Sequence, residues 1–235
     1  MRLMRNAPAA ARREETLDPE DWATLKALSH RIVDDSVAYL RDIHDRPSWR
    51  PMPEDVKAFF TGPMPRQPAE LVRIYRDVTE KLMPYPMGNN HPRFWSWYMG
   101  AGNYTGALGD FLAAIQGSNL GGGNHAAALL DQQVVNWCKE IVGFPVSASG
   151  TLTSGGSEAN FLALTVARNV KAGIDVREHG IAALDKPLRF YASDQVHSCH
   201  RKAVETLGLG NRSLRRIATN KDFTIDITAL RQAIA

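Results

Sequence analysis

One seven-residue segment constrains the fold of this chain more than any other, Ser154-Gly155-Gly156-Ser157-Glu158-Ala159-Asn160. Before it, Gly150-Thr151-Leu152-Thr153 is β-leaning and bounded by glycine, which predicts a short buried strand over 150–153. After it, residues 161–168 continue with good helix formers at helical spacing, which predicts a helix over 157–172. The segment therefore predicts a strand, a turn of small residues and a helix, in that order.

The start of this predicted helix is a candidate phosphate-binding site. Gly155 and Gly156 let the backbone come close to a bound group, and Ser157 is placed to cap the helix. The first amides of a helix have no internal partners, and the helix dipole favours a negative charge beside them. A strand, a small-residue turn and a helix start thus form a phosphate cradle. From the local pattern alone, an ordinary tight turn capped by serine fits equally well.

The chain beyond residue 93 predicts an α/β architecture. Strands around 150–153, 188–193 and 213–218 alternate with helices around 157–172, 195–207 and 226–235. Such alternation predicts a mainly parallel sheet covered by helices. Ligands of such sheets bind beyond the carboxyl ends of the strands, where both the Gly155-Gly156-Ser157 turn and His197 are expected.

Two further helices are predicted upstream of this alternation, over 103–114 and 126–142. The second has an apolar stripe that is expected to face inward, formed by Leu129, Val134, Val135, Trp137, Cys138 and Ile141.

The region before residue 93 predicts a helical arm followed by a connector. A helix is predicted within 14–45, because its start carries a cap residue, a proline for the first turn and acids near the N-terminus, in the segment Asp18-Pro19-Glu20-Asp21. Its apolar stripe from Trp22 to Leu40 must pack on the main body or on another subunit. Residues 46–92 carry nine prolines and a helix predicted over 69–82. Residues 1–13 predict a disordered tail and no secretory signal, so the parts are 1–13, 14–92 and 93–235.

Composition excludes several classes of protein. With 44% hydrophobic and 23% charged residues, disordered and fibrous classes do not fit. The net charge of +3, with arginines scattered among acids, predicts no nucleic-acid partner. No apolar run approaches the ~20 residues of a membrane span. Two cysteines are too few for a disulfide framework, which favours a cytoplasmic protein.

Three blocks in this order resemble the group II pyridoxal-phosphate-dependent decarboxylases, the family of the aromatic amino acid and glutamate decarboxylases. They are His91-Pro92-Arg93-Phe94-Trp95-Ser96-Trp97-Tyr98, the Ser154–Asn160 segment and Asp194-Gln195-Val196-His197-Ser198. The resemblance runs from about Trp49 to Ala235. It implies the first part of a fold-type-I large domain preceded by a helical arm. It also implies pyridoxal 5'-phosphate as cofactor, an amino acid as small-molecule substrate and a homodimer.

The resemblance also implies roles for individual residues. Gly155, Gly156 and Ser157 match the positions that hold the cofactor phosphate, and His197 matches the catalytic histidine that stacks on the pyridine ring. Trp97, Tyr98 and Met99 match the segment that lines the substrate pocket. Comparable family members have Pro-Thr where this chain has Met99-Gly100, which leaves the substrate open.

Two other patterns predict less. His197, Cys199 and His200 do not complete a set of four zinc ligands, so no metal site is predicted.

A dinucleotide fingerprint is formally matched by Gly121-Gly122-Gly123-Asn124-His125-Ala126, but this segment follows a predicted helix and not a strand. It is better interpreted as a glycine-lined wall of an active site, with His125 facing either the pocket or solvent.

The family takes its Schiff-base lysine and its pyridine-nitrogen acid from segments downstream of the matched stretch. This sequence has no Asn-x-His-Lys-type motif. The resemblance therefore implies the N-terminal half of a longer L-amino-acid decarboxylase (carboxy-lyase), inactive on its own. Two alternatives stay open: a carbon–carbon lyase with the same cofactor and fold, and a truncated non-catalytic module that dimerises with an intact partner.

Overall fold

The computed structural model describes residue 16 and residues 18–235. The disordered tail predicted over 1–13 lies outside these residues. The chain divides into two compact units, one ending at Ser118 and the other running from Asn119 to Ala235. No helix within the described ranges combines the length and apolarity needed to cross a membrane.

In its described residues, the first unit contains helices and loops but no strand. Its four α-helices there are α1 (Trp22–Arg41), α2 (Glu54–Phe60), α3 (Leu71–Asp77) and α4 (Tyr104–Gln116). α3 continues into a short π-helical segment, Val78–Leu82. The helices predicted within 14–45 and over 69–82 and 103–114 are thus confirmed.

α1 begins one residue after Asp21, whose carboxylate accepts from the N–H groups of Ala23 (2.9 Å) and Thr24 (3.1 Å). Hydrogen bonds from the hydroxyl and the amide of Thr24 lower the pKa of this carboxyl. Pro19 lies before the cap and not in the first turn, so this detail of the prediction is wrong. Of the apolar stripe, Leu28 is buried while Trp22 and Val33 are exposed.

The second unit contains five helices and two strands in its described residues. The helices are α5 (Ala126–Ile141), α6 (Gly156–Lys171), α7 (Val176–His179), α8 (Ser198–Thr206) and α9 (Ile227–Ile234). The strands are β1 (Phe190–Ser193) and β2 (Leu214–Ile217), which confirms two of the three predicted strands. The strand predicted over 150–153 is wrong, because no neighbouring backbone in the described chain pairs with these residues.

β1 and β2 pair in parallel, with Phe190 opposite Leu214 and Ser193 opposite Ile217. α8 lies between them in sequence and forms the crossover that a parallel pair requires. The unit's core lies around this crossover, where Val204 is fully buried and Ala203 and Ile217 are nearly so. This packing fixes the start of α8 relative to the carboxyl end of β1.

The apolar stripe of α5 does not face inward as predicted. Only Val135 is buried, whereas Leu129, Trp137 and Ile141 expose 69%, 52% and 81% of their surface, respectively. Helical periodicity identifies an apolar face but does not supply the element that covers it. No element in the described ranges covers this one.

Candidate functional site

The predicted phosphate cradle lies at the N-terminus of α6. Gly155 is the N-cap residue, with an extended backbone (φ 173°) that any residue can adopt. The N–H of Ala159 donates to the carbonyl of Gly155 at 3.1 Å and closes the first helical turn. Ser157 is therefore the second residue of the helix. Its predicted role as the cap is wrong, because the backbone turns into the helix two residues earlier.

The first amides of α6 are not capped by a side chain, unlike those of the other long helices in the described chain. Six helices have eight or more residues, and five of them carry a side-chain cap: Asp21, Asn103, His125, His197 and Asp226. α6 has none. A Cβ atom built on Gly155 or Gly156 meets no heavy atom within 4 Å. Donors and open space thus coincide where an anion would bind.

A carboxylate stands next to these amides, and sequence reasoning did not assign it a role. Glu158 Oε2 accepts from the hydroxyl of Ser154 at 2.6 Å and from its N–H at 3.0 Å. The hydroxyl bond, followed by the amide bond, lowers the pKa of Glu158. The sequence does carry a signal for this contact, because Glu158 is an acid in the first turn of the predicted helix and follows a serine by four residues.

His197 is the N-cap of α8 and lies four residues after the end of β1. The N–H of Cys199 donates to its Nδ1 at 3.2 Å, so a neutral ring, assigned from this bond, carries its proton on Nε2. The side chain is exposed.

The turn that leads to His197 is held by Asp194. Its N–H donates to the carbonyl of Ile217 at 2.8 Å, which joins the carboxyl ends of the two strands. Its Oδ1 accepts from Gln195 Nε2 at 3.0 Å and from Thr219 Oγ1 at 3.1 Å. The bond from Gln195, and then that from Thr219, lowers the pKa of Asp194. His197 therefore follows a turn that is fixed on both sides.

The structure brings the start of α6 and the start of α8 together. Asn160 Nδ2 donates to the carbonyl of Gly156 at 2.8 Å and lies 3.5 Å from the sulfur of Cys199. A shallow groove of about 300 Å³ runs between the two helices, lined by Ser157, Glu158, Phe161, Cys199, Lys202, Ala203 and Thr206. The amides of the predicted cradle and the imidazole of His197 thus stand on neighbouring helix N-termini.

Trp97, Tyr98 and Met99 lie in the first unit, on an exposed loop. The Trp97 ring packs at 6.1 Å from that of Phe94. Both rings line an open cavity of about 490 Å³, together with Ser48, Trp49, Met87, Arg93, Trp95 and Ser96. Tyr98 is fully exposed and Met99 is half-exposed, and neither lines this cavity.

The remaining histidines of interest have structural roles. His125 caps α5, with Nδ1 3.4 Å from the N–H of Ala128 and Nε2 3.0 Å from the carbonyl of Asn119. The buried His91 accepts from the N–H of Arg93 at 3.0 Å and meets the carbonyl of Arg46 at 2.9 Å.

The triple-glycine segment lies between α4 and α5, so it follows a helix and not a strand, as predicted. Within the described residues, no three His, Cys, Asp or Glu side chains form a group that could hold a metal ion.

Comparison with known proteins gives a consistent result. The family model for the "Pyridoxal-dependent decarboxylase conserved domain" matches residues 53–235. The aromatic-L-amino-acid decarboxylase of Bacillus atrophaeus is 28% identical over 218 residues, covering 89% of this chain and 42% of the relative. Tryptophan decarboxylase 2 of Oryza sativa subsp. japonica is 29% identical over 235 residues, covering 94% and 46%. The chain spans less than half the length of these curated relatives.

Solved structures share its fold. The Rhodiola rosea 4-hydroxyphenylacetaldehyde synthase has a TM-score of 0.75 at 25% identity, over 92% of this chain and 48% of that one. The Catharanthus roseus tryptophan decarboxylase, solved in complex with L-tryptophan, has a TM-score of 0.77 at 21% identity, over 92% and 47%. These likenesses confirm the predicted class, the α/β fold-type-I architecture of which this chain forms part.

Proposed function

The chain belongs to the pyridoxal-dependent decarboxylase family, and from this premise we propose that it is the N-terminal part of a pyridoxal-phosphate-dependent L-amino-acid decarboxylase. One observation carries the proposal. Within the matched residues, a helix N-terminus without a side-chain cap stands beside a fixed, exposed imidazole. A phosphate and an aromatic ring joined in one cofactor fit these two features.

The cofactor phosphate is proposed to bind at the start of α6. The amides of Gly156, Ser157 and Glu158 occupy the first helical positions, and the hydroxyl of Ser157 stands in the first turn. Gly155 and Gly156 leave the space that a phosphate needs. Each hydrogen bond to a charged group contributes about 1.5–3 kcal/mol, and the helix dipole adds to this. The residues present therefore fit the group.

His197 is proposed to lie against the face of the cofactor ring. The bond from the Cys199 amide to Nδ1 fixes the orientation of the imidazole, so the ring can restrain the tilt of a stacked partner. Because Nδ1 is already occupied, Nε2 is the atom of His197 that remains to donate or hold a proton. When bound, pyridoxal phosphate supplies an electron sink for the pair released as the carboxylate leaves.

The substrate side is proposed to include Trp97, Tyr98 and Met99. Their large apolar and aromatic surfaces are exposed in the first unit, where an amino acid side chain could bury them. Aromatic walls of this kind exclude water from a reacting group.

Three finer features are part of the proposal. The protein forms a homodimer, which the exposed apolar residues of α1 support. It works in the cytoplasm, which its two free cysteines support. The 235-residue segment alone does not turn over, because the family takes its Schiff-base lysine from a motif that this sequence does not contain.

Release of carbon dioxide tests the proposal. The full-length protein with pyridoxal phosphate is offered a panel of aromatic and acidic L-amino acids, and released carbon dioxide is measured with and without cofactor. Cofactor-dependent release from at least one of them is expected, and none from the 235-residue segment alone. Cofactor-dependent cleavage of a side-chain carbon–carbon bond without carbon dioxide would contradict the proposal and support a carbon–carbon lyase. Turnover by the segment alone would contradict the proposed need for further sequence.

A further inference from the structure

A clamp spans the two glycines at the start of α6. Glu158 on one side of Gly155-Gly156 accepts both the hydroxyl and the N–H of Ser154 on the other side, at 2.6 and 3.0 Å. Thr153 adds a hydrogen bond from its hydroxyl to the carbonyl of Gly155 at 3.1 Å. The carboxylate is thus used to hold the turn and not to cap the helix.

We infer that Glu158 is a positioning residue of the phosphate cradle, whose clamp on Ser154 holds the glycine turn in the conformation that leaves the first amides of α6 available to phosphate. The inference rests on the proposed function, because it assigns a role within the same site. The side chain of Glu158 touches neither the cofactor nor the substrate and acts only through the backbone of residues 154–157, whereas its amide remains one of the donors at the start of α6.

The glycines make such a clamp necessary. No heavy atom lies within 4 Å of the position that a Cβ atom would occupy at Gly155 or Gly156, so side-chain packing does not restrict this turn. Glycine also has more conformational freedom than any other residue type. A site that is ordered before binding does not lose that freedom when the ligand arrives, and its affinity is correspondingly higher.

The clamp also controls Ser154 itself. A serine hydroxyl beside a helix start is a strong acceptor for the first helical amides. The Ser154 hydroxyl instead donates a hydrogen bond to Glu158 at 2.6 Å, and no side chain caps the first amides of α6. Loss of the Glu158 carboxylate would therefore free the Ser154 hydroxyl to accept from the first amides of α6, in competition with the phosphate.

The charge of Glu158 acts in the opposite direction. The bonds from Ser154 lower its pKa, so the carboxylate is ionised at neutral pH and repels a phosphate. The side chain is exposed, so water and salt screen this repulsion. Lys202 of α8, which packs on α6, lines the same groove and adds a cation there. We therefore expect the positioning effect to exceed the repulsion.

Two substitutions at this position separate the effects. Glu158→Gln removes the charge but keeps an oxygen that accepts from Ser154, whereas Glu158→Ala removes both. Asp175→Asn is the matched control, since Asp175 is an exposed carboxylate that caps α7 and whose pKa is likewise lowered by hydrogen bonds, from Arg177.

Pyridoxal phosphate is titrated into the full-length protein and the three variants, and the dissociation constants are compared. The glutamine variant and the Asp175 control should stay within about twofold of the parent. The alanine variant should bind about tenfold more weakly, since a turn that has been only partly freed must be ordered again on binding. Hydrogen exchange of residues 152–160 without cofactor should rise in the alanine variant and not in the glutamine variant, which reports on the clamp even where binding is weak.

Each other outcome is decisive. Equal affinities of the alanine and glutamine variants overturn the inference and leave the proposed function standing, and so does unchanged exchange in the alanine variant. If both variants bind more tightly than the parent, Glu158 acts only through its charge. If the parent binds no pyridoxal phosphate, the proposed function fails and the inference fails with it.

Discussion

Substitution of His197 separates a task that is observed in the structure from one that we propose. Its Nδ1 caps α8 by accepting from the N–H of Cys199, and its exposed ring is the proposed partner of the cofactor ring. His197→Asn keeps an acceptor at the cap and removes the ring, because asparagine is among the preferred cap residues. His197→Ala removes both.

The magnitudes follow from these contacts. Loss of an N-cap lowers the free energy of unfolding by about 1 kcal/mol, within a range of roughly 0.5–2 kcal/mol. α8 itself should persist, since Cys199, Ala203 and Val204 anchor it in the core. A stacked aromatic pair contributes about 0.5–1.5 kcal/mol, so removal of the ring should weaken cofactor binding about two- to tenfold.

Denaturant unfolding and cofactor titration of the parent and both variants measure the two tasks separately. We expect the alanine variant to be less stable than the asparagine variant by about 1 kcal/mol, whereas both bind pyridoxal phosphate equally weakly. Both should lose more in turnover than in binding, because ring tilt governs which substrate bond aligns with the π system. An asparagine variant that binds and turns over like the parent would refute the stacking role. Equal stabilities of the two variants would refute the cap.

Four other predictions concern the arm, the pocket, the cradle and the core. Deletion of residues 1–45 should weaken dimerisation, and an unchanged dimer in sedimentation would mean that the arm packs within its own subunit. Met99→Ala should change the ratios of kcat/KM among amino acid substrates by up to about a hundredfold, while equal losses of kcat/KM for all substrates would indicate a structural role. Ser157→Ala should weaken pyridoxal phosphate binding about tenfold to hundredfold with saturated turnover nearly unchanged, and parent-like affinity would place the phosphate elsewhere. His91→Ala should lower the free energy of unfolding by about 3 kcal/mol, since a buried ring loses two backbone hydrogen bonds, and a change below about 1 kcal/mol in denaturant unfolding would contradict this.

The elements that sequence predicted well are those determined locally. The helices over Trp22–Arg41, Tyr104–Gln116 and Ala126–Ile141 follow from apolar spacing and from cap residues that lie next to them in sequence. β1 and β2 were also found, because a β-leaning run on each side of a helix predicts a parallel crossover.

The elements that failed depend on partners distant in sequence. Residues 150–153 have the composition of a strand, but a strand exists only where another backbone pairs with it. The predicted inward orientation of the apolar stripe of α5 was wrong for the same reason. Periodicity does not show whether another element covers Trp137 or Ile141, and both are exposed.

The local geometry of the candidate site was only partly predictable from the sequence. The Gly155-Gly156-Ser157 turn stands at a helix start as predicted, yet the cap is Gly155 and the carboxylate of Glu158 had no assigned role. The position of the cap decides which amides are available to an anion, and here it differs from the prediction by two residues. Residue propensities do not determine this position, because glycine and serine are both accepted as N-cap residues. Likewise, the sequence indicated an imidazole at His197 but not which nitrogen the backbone would occupy.

Hydrogen exchange of residues 153–160 with two ligands tests the central claim most directly, that the start of α6 holds the cofactor phosphate. The full-length protein is compared without ligand, with pyridoxal phosphate and with pyridoxal, which has the same ring and no phosphate. We expect pyridoxal phosphate to slow exchange in this segment and pyridoxal to leave it nearly unchanged at matched occupancy. Equal protection by both ligands, or binding of pyridoxal phosphate with no protection of this segment, would contradict the account.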